Sequence, residues 1–450
     1  MNQSIQPIGM DANPKTIGIL GTGQLGRMLC QAAKKQGCRV AVYGPEQTAP
    51  AYDVADEVFV GQFDDKESLV TFAQAVDVIT LEFENIPAAS LSVLEQYVSV
   101  CPNPKALRVA QNRLLEKELF QSLQIPTTDF YPVSSSEDLM VGWQQFQEKG
   151  LKGGAILKTT ELGYDGKGQW TLYEGFKSQA DADAFWKSLP KDVIEQRHRV
   201  NPLGESPAPL VLEARQFLQS ECSVIVARNG ANETVALGPI ENTHVDGVLD
   251  WSRYPALHLP DPLKRQAVEA AQQLARHLDI VGLLCVEFFV VEGRGRKPLL
   301  MANEMAPRPH NSGHLTQHWA ANNGGLTPPS QFDWHIAALT QPEFPGSWME
   351  QGQSDLVSGA MVNLLGDLWF EGESSTSVEP DWSLLEENEQ LRLYLYGKKE
   401  ARRGRKMGHL NVFPSTLPNA LSQIDADVLD GYIDTLLKAR YRLRQSTVNA

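Results

Sequence analysis

Two glutamates on neighbouring apolar runs are the residues whose spacing most clearly indicates chemistry. The runs LLCVEFFVV (283–291) and KPLLMANEM (297–305) flank a Gly/Arg-rich break, a pattern that predicts a β-hairpin. A turn that is symmetric about residues 295 and 296 places Val291 opposite Leu300 and Glu287 opposite Glu304. Facing carboxylates repel each other across strands, and apolar neighbours make the burial of their charge more costly.

A divalent cation between Glu287 and Glu304 removes this conflict. Magnesium binds one or two carboxylates together with the phosphate oxygens of a substrate, and Asn303 can add a neutral oxygen. The alternative is a solvent-facing pair or one protonated glutamate, but the apolar residues on both flanks favour the metal. The hairpin therefore predicts the floor of a magnesium-nucleotide site.

A second candidate site is the glycine-rich turn near the start of the chain. Residues 15–43 have the pattern strand, turn, helix, strand, and Gly21, Gly23 and Gly26 match GxGxxG. Such a turn brings the amides of a helix N-terminus up to a phosphate. Dinucleotide binding also needs an acid at the end of the second strand. Here Glu46 comes only after a Pro turn, so NAD binding is the weaker interpretation.

A lysine beside a glycine loop suggests phosphate binding in the middle of the chain. Residues 154–170 form a short strand that ends near Lys158, a loop with Gly163, Gly166 and Gly168, and a returning strand. The spacing is not that of a P-loop. A strand lysine facing a flexible glycine hairpin nevertheless suits phosphate. The alternative is an ordinary glycine-rich hairpin with a surface lysine.

Two further loops carry polar residues at the ends of predicted strands. The buried strand in 76–87 ends in Glu82 and Glu84, at the edge where an α/β sheet binds ligands, although solvated loop acids fit as well. After the hairpin, the loop that contains Arg308 and Asn311 suits a small anion. Zinc at His310, His314 and His318 is disfavoured, because no cysteine or acid lies nearby in sequence.

Composition limits the partners of the protein. The chain has 450 residues and a net charge of −15, which argues against general nucleic-acid or anionic-membrane binding. Its five cysteines are scattered, as in a cytoplasmic protein with reduced thiols, and no apolar run is long enough for a membrane helix. The basic run of 391–413, between two predicted strands, therefore suggests a pocket for a phosphorylated small molecule. A solvated face or a nucleic-acid patch is the usual interpretation of such a run.

The helices predicted between these motifs are regular. Residues 103–127 predict one or two helices, and 261–280 predict an amphipathic helix that Asp261 can cap. The apolar face of that helix comprises Ala267, Ala270, Ala271, Leu274 and Leu278. Residues 357–366 predict a strand, and the last thirty residues predict one helix.

Several strings, taken together and in order, resemble one known family. GTGQLGRM, GYDGKGQW, NEMAPRPHNSGH, SQFDWHIAAL and YGKK…RGRKMGHLN are similar to those of the 5-(carboxyamino)imidazole ribonucleotide synthases of purine biosynthesis, the ATPase-subunit type of phosphoribosylaminoimidazole carboxylase. The resemblance implies the ATP-grasp fold, α/β and α+β, with an N-terminal doubly wound (Rossmann-like) domain and a small C-terminal domain. Its implied divisions are an extension (1–14), a pre-ATP-grasp domain (15–112), an ATP-grasp domain (113–356) with a lid at about 155–212, and a C-terminal domain (357–450).

The resemblance also implies site residues. ATP contacts fall on Arg113, Lys158, Gly163, Tyr164, Asp165, Gly166, Lys167, Gly168, Gln169, Glu213, Ala214, Arg215, Gln216, Glu221, His244, Asn303 and Glu304. Magnesium ligands fall on Glu287 and Glu304. Contacts to aminoimidazole ribonucleotide fall on Gly23, Gln24, Leu25, Glu82, Tyr164, Asp165, Lys398, Arg405 and Lys406. Catalytic roles fall on Arg308, Asn311, Lys398, Arg405 and Lys406.

The implied reaction uses ATP and Mg²⁺ to activate bicarbonate as carboxyphosphate, which then carboxylates the ribonucleotide amine. A site rich in Lys, Arg and Glu suits phosphoryl transfer, which needs positioning and charge neutralisation. The family further implies a homodimer. The competing hypotheses are formate-dependent glycinamide ribonucleotide transformylase or biotin carboxylase within the same fold, an NAD-dependent dehydrogenase, and a non-catalytic nucleotide-binding module.

Overall fold

The computed structural model describes residues 14–448 apart from 152, 162–167, 192, 194–207, 294, 296, 318–327, 347, 349–357 and 414–425. The described chain forms three β-sheets of five, four and eight strands. None of its helices has the length and apolarity needed to cross a membrane.

The N-terminal sheet is parallel and doubly wound, as the βαβ pattern predicts. Its strands are β1 (Thr16–Leu20), β2 (Arg39–Gly44), β3 (Glu57–Val60), β4 (Val78–Leu81) and β5 (Ser99–Cys101), in the order β3-β2-β1-β4-β5. Helices α1 (Gln24–Lys35), α2 (Lys66–Gln74) and α3 (Ala88–Leu94) connect them. The strand order reverses between β1 and β4, so the glycine-rich turn after β1 and the acidic loop after β4 meet at the edge where such sheets bind ligands.

The segment predicted as one or two helices is two, α4 (Pro104–Gln111) and α5 (Arg113–Ser122). Asn112 between them is extended (φ −126°, ψ 110°), and its side chain accepts hydrogen bonds from the N–H groups of Leu114 and Leu115. One residue therefore ends α4 and caps α5. This break directs α5 toward the cleft that separates the other two sheets.

The four-stranded sheet has the order β6-β9-β7-β8 and is antiparallel. Its strands are β6 (Phe130–Val133), β7 (Ala155–Thr159), β8 (Gln169–Leu172) and β9 (Leu210–Ala214), and α6 (Ser136–Glu148) and α7 (Gln179–Ser188) pack with it. Its small core includes Leu139, Phe146, Leu157 and Leu212. This unit begins at β6, upstream of the lid boundary expected near residue 155.

The eight-stranded sheet is antiparallel and joins the central and C-terminal parts of the chain. Its strands are β10 (Leu218–Arg228), β11 (Thr234–Val245), β12 (Val248–Tyr254), β13 (Gly282–Glu292), β14 (Pro298–Ala306), β15 (Gly359–Leu365), β16 (Leu391–Leu395) and β17 (Lys406–Val412). Their order is β14-β13-β10-β11-β12-β15-β17-β16. Because β15 pairs with β12, residues after 357 extend the central sheet. Helices α8 (Asp261–His277), α9 (Gln331–Thr340) and α10 (Ala426–Val448) cover it.

Helix α8 confirms the predicted apolar face, since all five predicted residues are buried. The predicted cap is wrong: Pro260 is the N-cap residue, no side chain caps the helix, and Asp261 lies in the first turn. There Asp261 pairs with Lys264 at 3.0 Å. A proline with φ −58° and ψ 140° already sets the backbone for helix entry.

The β13–β14 hairpin confirms the pairing of Glu287 with Glu304, but the predicted register between that pair and the turn is wrong by one residue. Val291 pairs with Leu299, Val290 pairs with Leu300, and the register shifts between Glu287 and Phe288. The shift leaves Asn303 as an extra residue on β14, a β-bulge. The turn is therefore not symmetric about residues 295 and 296, contrary to the prediction. The bulge at Asn303 compensates for the one-residue shift, so Glu287 still pairs with Glu304.

Candidate functional site

The glycine-rich turn binds a carboxylate of its own chain. The N–H groups of Gly23 and Gly26 donate to Oε1 and Oε2 of Glu82 at 2.5 and 2.6 Å. A Cβ at Gly21 would lie 2.4 Å from Cγ of Glu82, and one at Gly23 would lie 2.8 Å from its Oε1. Burial raises the pKa of Glu82, and the two N–H groups oppose that rise. The chain thus occupies the amides that a dinucleotide pyrophosphate needs, which argues against NAD binding.

Part of the basic C-terminal run lies beside this turn. Lys398 Nζ donates to Gln24 Oε1 and to the Lys406 carbonyl, each at 2.5 Å. Burial and the charge of Arg405 lower the pKa of Lys398 to about 7, against the attraction of Glu82. Lys398 thus hydrogen-bonds Gln24 and Lys406 and interacts electrostatically with Arg405 and Glu82. We call these five residues the ribonucleotide cluster, after the ligand that the family resemblance implies for them.

Other residues of the glycine-rich turn and of the basic run lie outside the ribonucleotide cluster. Leu25 is half-buried and packs against the core of the N-terminal sheet, so its side chain makes an apolar contact there. Arg402 pairs with Glu400 at 2.8 Å, and Arg403 donates to the carbonyls of Gly372 and Ser374. The whole basic run is therefore not one pocket.

The nucleotide half of the site lies where β7 meets β9. Lys158 Nζ is 3.0 Å from Glu213 Oε2, and Lys117 Nζ is 3.2 Å from the same oxygen. Burial raises the pKa of Glu213, but the two ammonium groups lower it to about 2. Glu213 Oε1 is buried and has no hydrogen-bond partner in the described chain. Such an atom is rare in proteins and suits a donor on a ligand.

The segment after Glu213, where the family resemblance implies ATP contacts, already uses part of its backbone within the protein. The Ala214 N–H donates to the Asp129 carbonyl at 2.8 Å, and the Arg215 N–H donates to the Gly154 carbonyl at 3.0 Å. The Arg215 guanidinium lies over the Tyr173 ring at 5.1 Å, and Gln216 Nε2 donates to the Ala214 carbonyl. The backbone N–H groups of Ala214 and Arg215 are therefore already hydrogen-bonded within the protein.

Glu221 and His244 form a pair on β10 and β11. His244 Nδ1 hydrogen-bonds Glu221 Oε2, and both side chains are about one-fifth exposed. Burial would lower the pKa of His244, but its hydrogen bond to Glu221 and the charge of Glu287 raise it. A protonated His244 is suited to a phosphate group, while Glu221 is suited to hydroxyl groups.

Glu287 and Glu304 face each other, yet each has a positive neighbour. Glu287 Oε1 lies 3.0 Å from His310 Nε2, and Glu304 Oε2 lies 3.9 Å from Arg113 Nη2. Burial raises the pKa of Glu287, but His310 lowers it to about 2. Burial lowers the pKa of His310, whereas Cys285 and Glu287 raise it to about 10. Two neighbouring carboxylates are hard oxygen ligands that fit magnesium, but the repulsion that first suggested the metal is partly compensated here.

The side chain of Glu304 is 48 % exposed and that of Glu287 is 13 % exposed, so a cation would reach the pair from the Glu304 side. Asn303 occupies the bulge beside Glu304 and is half-buried. No group of three or more His, Cys, Asp or Glu side chains suited to a metal occurs among the described residues. This also leaves zinc at the histidines unsupported; His318 lies outside those residues.

The loop after β14 connects the two halves. Arg308 Nε donates to Glu84, and Arg308 Nη1 donates to the Pro309 carbonyl at 3.0 Å. Burial raises the pKa of Glu84, but Arg308 lowers it to about 2. Both polar side-chain atoms of Asn311 are buried and have no hydrogen-bond partner in the described chain. Arg308 and Asn311 thus form a polar position suited to a small anion.

The glycine loop is described only at its C-terminal side. Gly163, Tyr164, Asp165, Gly166 and Lys167 lie outside the described residues. Gly168 has φ +69°, its carbonyl accepts from the Thr159 N–H at 2.9 Å, and Gln169 pairs with Lys158. The described ends of β7 and β8 therefore form the predicted hairpin.

Sequence reasoning did not single out Glu116 or Lys117, and it named Glu84 and His310 without the contacts that they make here. Glu116 Oε1 accepts from the Met305 N–H at 2.6 Å, next to Glu304. Glu116 and Lys117 look like ordinary polar positions of an amphipathic helix, and nothing in their spacing indicates burial. For Glu84 and His310 a signal existed, because both lie in loops that had already been singled out.

This combination of sheets and clustered charges defines a class, the ATP-grasp ligases. Residues 14–111 match a ribonucleotide synthetase preATP-grasp domain, 118–323 an ATP-grasp domain, and 359–423 a phosphoribosylaminoimidazole carboxylase C-terminal domain. The chain belongs to the N5-carboxyaminoimidazole ribonucleotide synthase family. It is 36 % identical to the Brucella melitensis enzyme of that name over 89 % of this chain and 97 % of the relative. For the Bacillus subtilis enzyme the identity is 35 % over 88 % and 90 %.

Solved structures of this family have the same fold. The Staphylococcus aureus N5-carboxyaminoimidazole synthetase complexed with ADP has a TM-score of 0.71 at 30 % identity, covering 95 % of this chain and 97 % of that one. The Aspergillus clavatus synthase in complex with ADP and 5-aminoimidazole ribonucleotide has a TM-score of 0.73 at 25 % identity, covering 96 % and 99 %.

Proposed function

We propose that the protein carboxylates 5-aminoimidazole ribonucleotide with bicarbonate and ATP, forming 5-(carboxyamino)imidazole ribonucleotide in purine biosynthesis. The observation that carries this proposal is the connection between the Lys158–Glu213 nucleotide region and the ribonucleotide cluster. Arg113 interacts electrostatically with Glu213 and pairs with Glu304 at 3.9 Å. The charge of Glu304 in turn acts on Arg308, which hydrogen-bonds Glu84, two residues along the chain from Glu82. A reaction with three substrates needs such adjoining sites. ATP and ribonucleotide binding are further supported by the related structures that contain ADP and 5-aminoimidazole ribonucleotide.

The nucleotide half binds ATP. Lys158 and Arg113 attract its phosphates, Glu221 accepts from ribose hydroxyls, and His244 adds a positive charge. The family resemblance further implies a lid that includes residues 163–169, of which 163–167 lie outside the described residues. A closed lid would exclude water and protect a hydrolysable intermediate. Glu287 and Glu304, with Asn303 beside them, would hold Mg²⁺, which neutralises phosphate charge when bound.

The ribonucleotide cluster binds the second substrate. Glu82, already fixed by the N–H groups of Gly23 and Gly26, accepts hydrogen bonds from ribose hydroxyls. Lys398, Arg405 and Lys406 attract the 5′-phosphate, with Gln24 orienting Lys398. Tyr164 and Asp165, which lie outside the described residues, are two further ribonucleotide contacts that the family resemblance implies.

Bicarbonate binds at Arg308 and Asn311, between the two halves. Its oxygen attacks the γ-phosphorus of ATP, so ADP leaves and carboxyphosphate forms. The ribonucleotide amine then attacks the carboxyl carbon, phosphate leaves, and the amine loses a proton. Arg308 stabilises the negative charge that develops in both steps.

We propose the division of the chain at 15–112, 113–356 and 357–450, which the three domain matches support. The lid predicted at about 155–212 falls within the four-stranded unit, whose first strand, β6, begins earlier, at Phe130. We further propose a homodimer, as the family resemblance implies. A cytoplasmic location is supported by five free cysteines, which suit a reducing compartment.

The decisive experiment measures ADP release with each substrate omitted in turn. We expect ADP release to require bicarbonate and aminoimidazole ribonucleotide together. Release that needs formate and glycinamide ribonucleotide would instead identify the transformylase. Nucleotide binding without turnover in any mixture would identify a binding module.

A further inference from the structure

A buried lysine on α5 has no place in the function described above. Lys117 has 1 % of its side chain exposed. Its Nζ donates to Thr128 Oγ1 at 3.0 Å and to Thr127 Oγ1 at 3.3 Å, and it lies 3.2 Å from Glu213 Oε2. An ammonium group has three N–H donors, and these three contacts use all of them. Lys117 is therefore fixed in position and too deeply buried to touch a substrate.

The partner of Lys117 also serves Lys158. Both ammonium groups approach Glu213 Oε2, which in addition accepts from Thr128 Oγ1 at 3.2 Å. Oε1 of the same carboxylate is buried and has no partner in the described chain. The contacts thus hold one oxygen of Glu213 and leave the other for a ligand.

The sharing of Glu213 by two ammonium groups also affects how strongly Lys158 can attract a phosphate. A single carboxylate faces two ammonium groups, so Lys158 is only partly neutralised in the protein. Without Lys117, Glu213 would pair fully with Lys158, because charges attract strongly where water is excluded. Lys158 would then offer less net attraction to a phosphate.

We propose that Lys117 is a positioning residue of the ATP site, which fixes Glu213 through Oε2 and keeps the charge of Lys158 available to the nucleotide. The proposal rests on the proposed function in one respect, that ATP is the ligand of this cleft. The proposal predicts that Lys117 affects the binding of ATP and does not affect the binding of the ribonucleotide.

The test compares Lys117→Met with wild type by titration calorimetry, using Mg-ATP and aminoimidazole ribonucleotide separately. Methionine keeps the length of the side chain and removes its charge. We expect the Kd for ATP to rise about tenfold or more, while the Kd for the ribonucleotide changes less than about twofold. Lys264→Met is the matched control, because it removes a lysine–aspartate pair on the exposed side of α8. It should leave both Kd values unchanged.

The pH dependence gives a readout that a purely structural role would not change. Loss of Lys117 removes one of the charges that keep the pKa of Glu213 low. Protonation of Glu213 at lower pH would release Lys158 from its carboxylate partner, so the ATP Kd of Lys117→Met relative to that of wild type should become smaller between pH 7 and pH 5. An unchanged ATP Kd in a folded variant would overturn the proposal, and so would equal losses for both ligands.

If Lys117→Met does not fold, Thr128→Val removes the hydroxyl between Lys117 and Glu213 at nearly constant volume. We expect a several-fold rise in the ATP Kd with the ribonucleotide Kd unchanged, and the same outcomes overturn the proposal. Because calorimetry does not need turnover, a wild type that binds ATP but fails the ADP-release assay would refute the reaction alone.

Discussion

Glu82 does within the protein what a bound phosphate does at other glycine-rich turns. Its carboxylate accepts the N–H groups at the start of α1, and this helix end carries a partial positive charge. The same residue type recurs across the site in different environments. Glu82 has a raised pKa, whereas Arg308 holds the pKa of Glu84 low and ammonium groups hold that of Glu213 low. Residue identity alone therefore does not assign a role to an acid in this protein.

Glu304→Gln tests the proposed magnesium ligand. Glutamine keeps the shape and removes the charge, and the exposed position of Glu304 tolerates it. We expect turnover at saturating ATP to fall by about a hundredfold or more with the melting temperature unchanged. ADP release is measured against magnesium concentration, with the exposed Glu269→Gln on α8 as the control. Near-normal turnover would contradict the assignment.

The lowered pKa of Lys398 predicts that ribonucleotide binding depends on pH. This pKa is lowered to about 7, so the charged form is present below pH 7 and is lost above it. The kcat/KM for ribonucleotide should therefore fall as pH rises from 7 to 9. Lys398→Arg, which stays charged, should remove this alkaline decline. The exposed Arg402→Lys should keep it, and a wild-type profile that is flat above pH 7 would exclude Lys398 as the phosphate contact.

At the scale of elements, the site depends on irregularities in otherwise regular structure. The bulge at Asn303 brings Glu304 opposite Glu287, and the cap at Asn112 starts α5 at the cleft. From that start, α5 supplies Arg113 to Glu304 and Lys117 to Glu213. One short helix thus contacts both the β13–β14 hairpin and β9 of the four-stranded sheet.

Gly23→Ala tests the turn as an element. Alanine tolerates the φ of −79°, so the backbone can remain, but its Cβ would lie 2.8 Å from Glu82 Oε1. Glu82 must then move away from the turn, and we expect the KM for ribonucleotide to rise about tenfold with that for ATP unchanged. Gly431→Ala, which meets open space on α10, is the control. Equal effects on both substrates would show a general distortion instead.

At the scale of the whole molecule, the site is assembled from all three sheets. Glu82 and Glu84 come from the parallel sheet, Lys158 and Glu213 from the four-stranded sheet, and Arg308 follows the eight-stranded sheet. Because β15, β17 and β16 extend the central sheet by strand pairing, Lys398 and Lys406 are held in position, and Lys398 contacts Gln24 at the N-terminal turn. The three substrates can therefore meet in one place.

Glu84→Gln tests the contact between the N-terminal and central sheets. The folded pKa of Glu84 is lowered to about 2, so the pair stabilises the protein above the unfolded value near 4.5 and loses that effect as pH falls toward 2. A shift of this size corresponds to about 3 kcal/mol at neutral pH. We expect Glu84→Gln to be less stable to urea at pH 7, with a smaller difference at pH 3.5. A difference that does not depend on pH would contradict the role of this ion pair.

The sequence by itself determined the local structure and the site residues that carry recognisable motifs. Strand and helix patterns come from the repeat of apolar residues along the chain, so the βαβ unit, the buried face of α8 and the β13–β14 hairpin were predictable. The pairing of Glu287 with Glu304 was also predicted, although the register between that pair and the turn was not.

Only the tertiary structure decided which charged groups meet. Glu82 on the α1 amides, Lys117 on Glu213, Arg308 on Glu84 and His310 on Glu287 are contacts between residues far apart in sequence. Local periodicity carries no information about them, because a polar residue on a helix or loop has the same spacing whether it faces water or a partner. The packing of the three sheets buries these residues and brings them together, and this arrangement forms the candidate site.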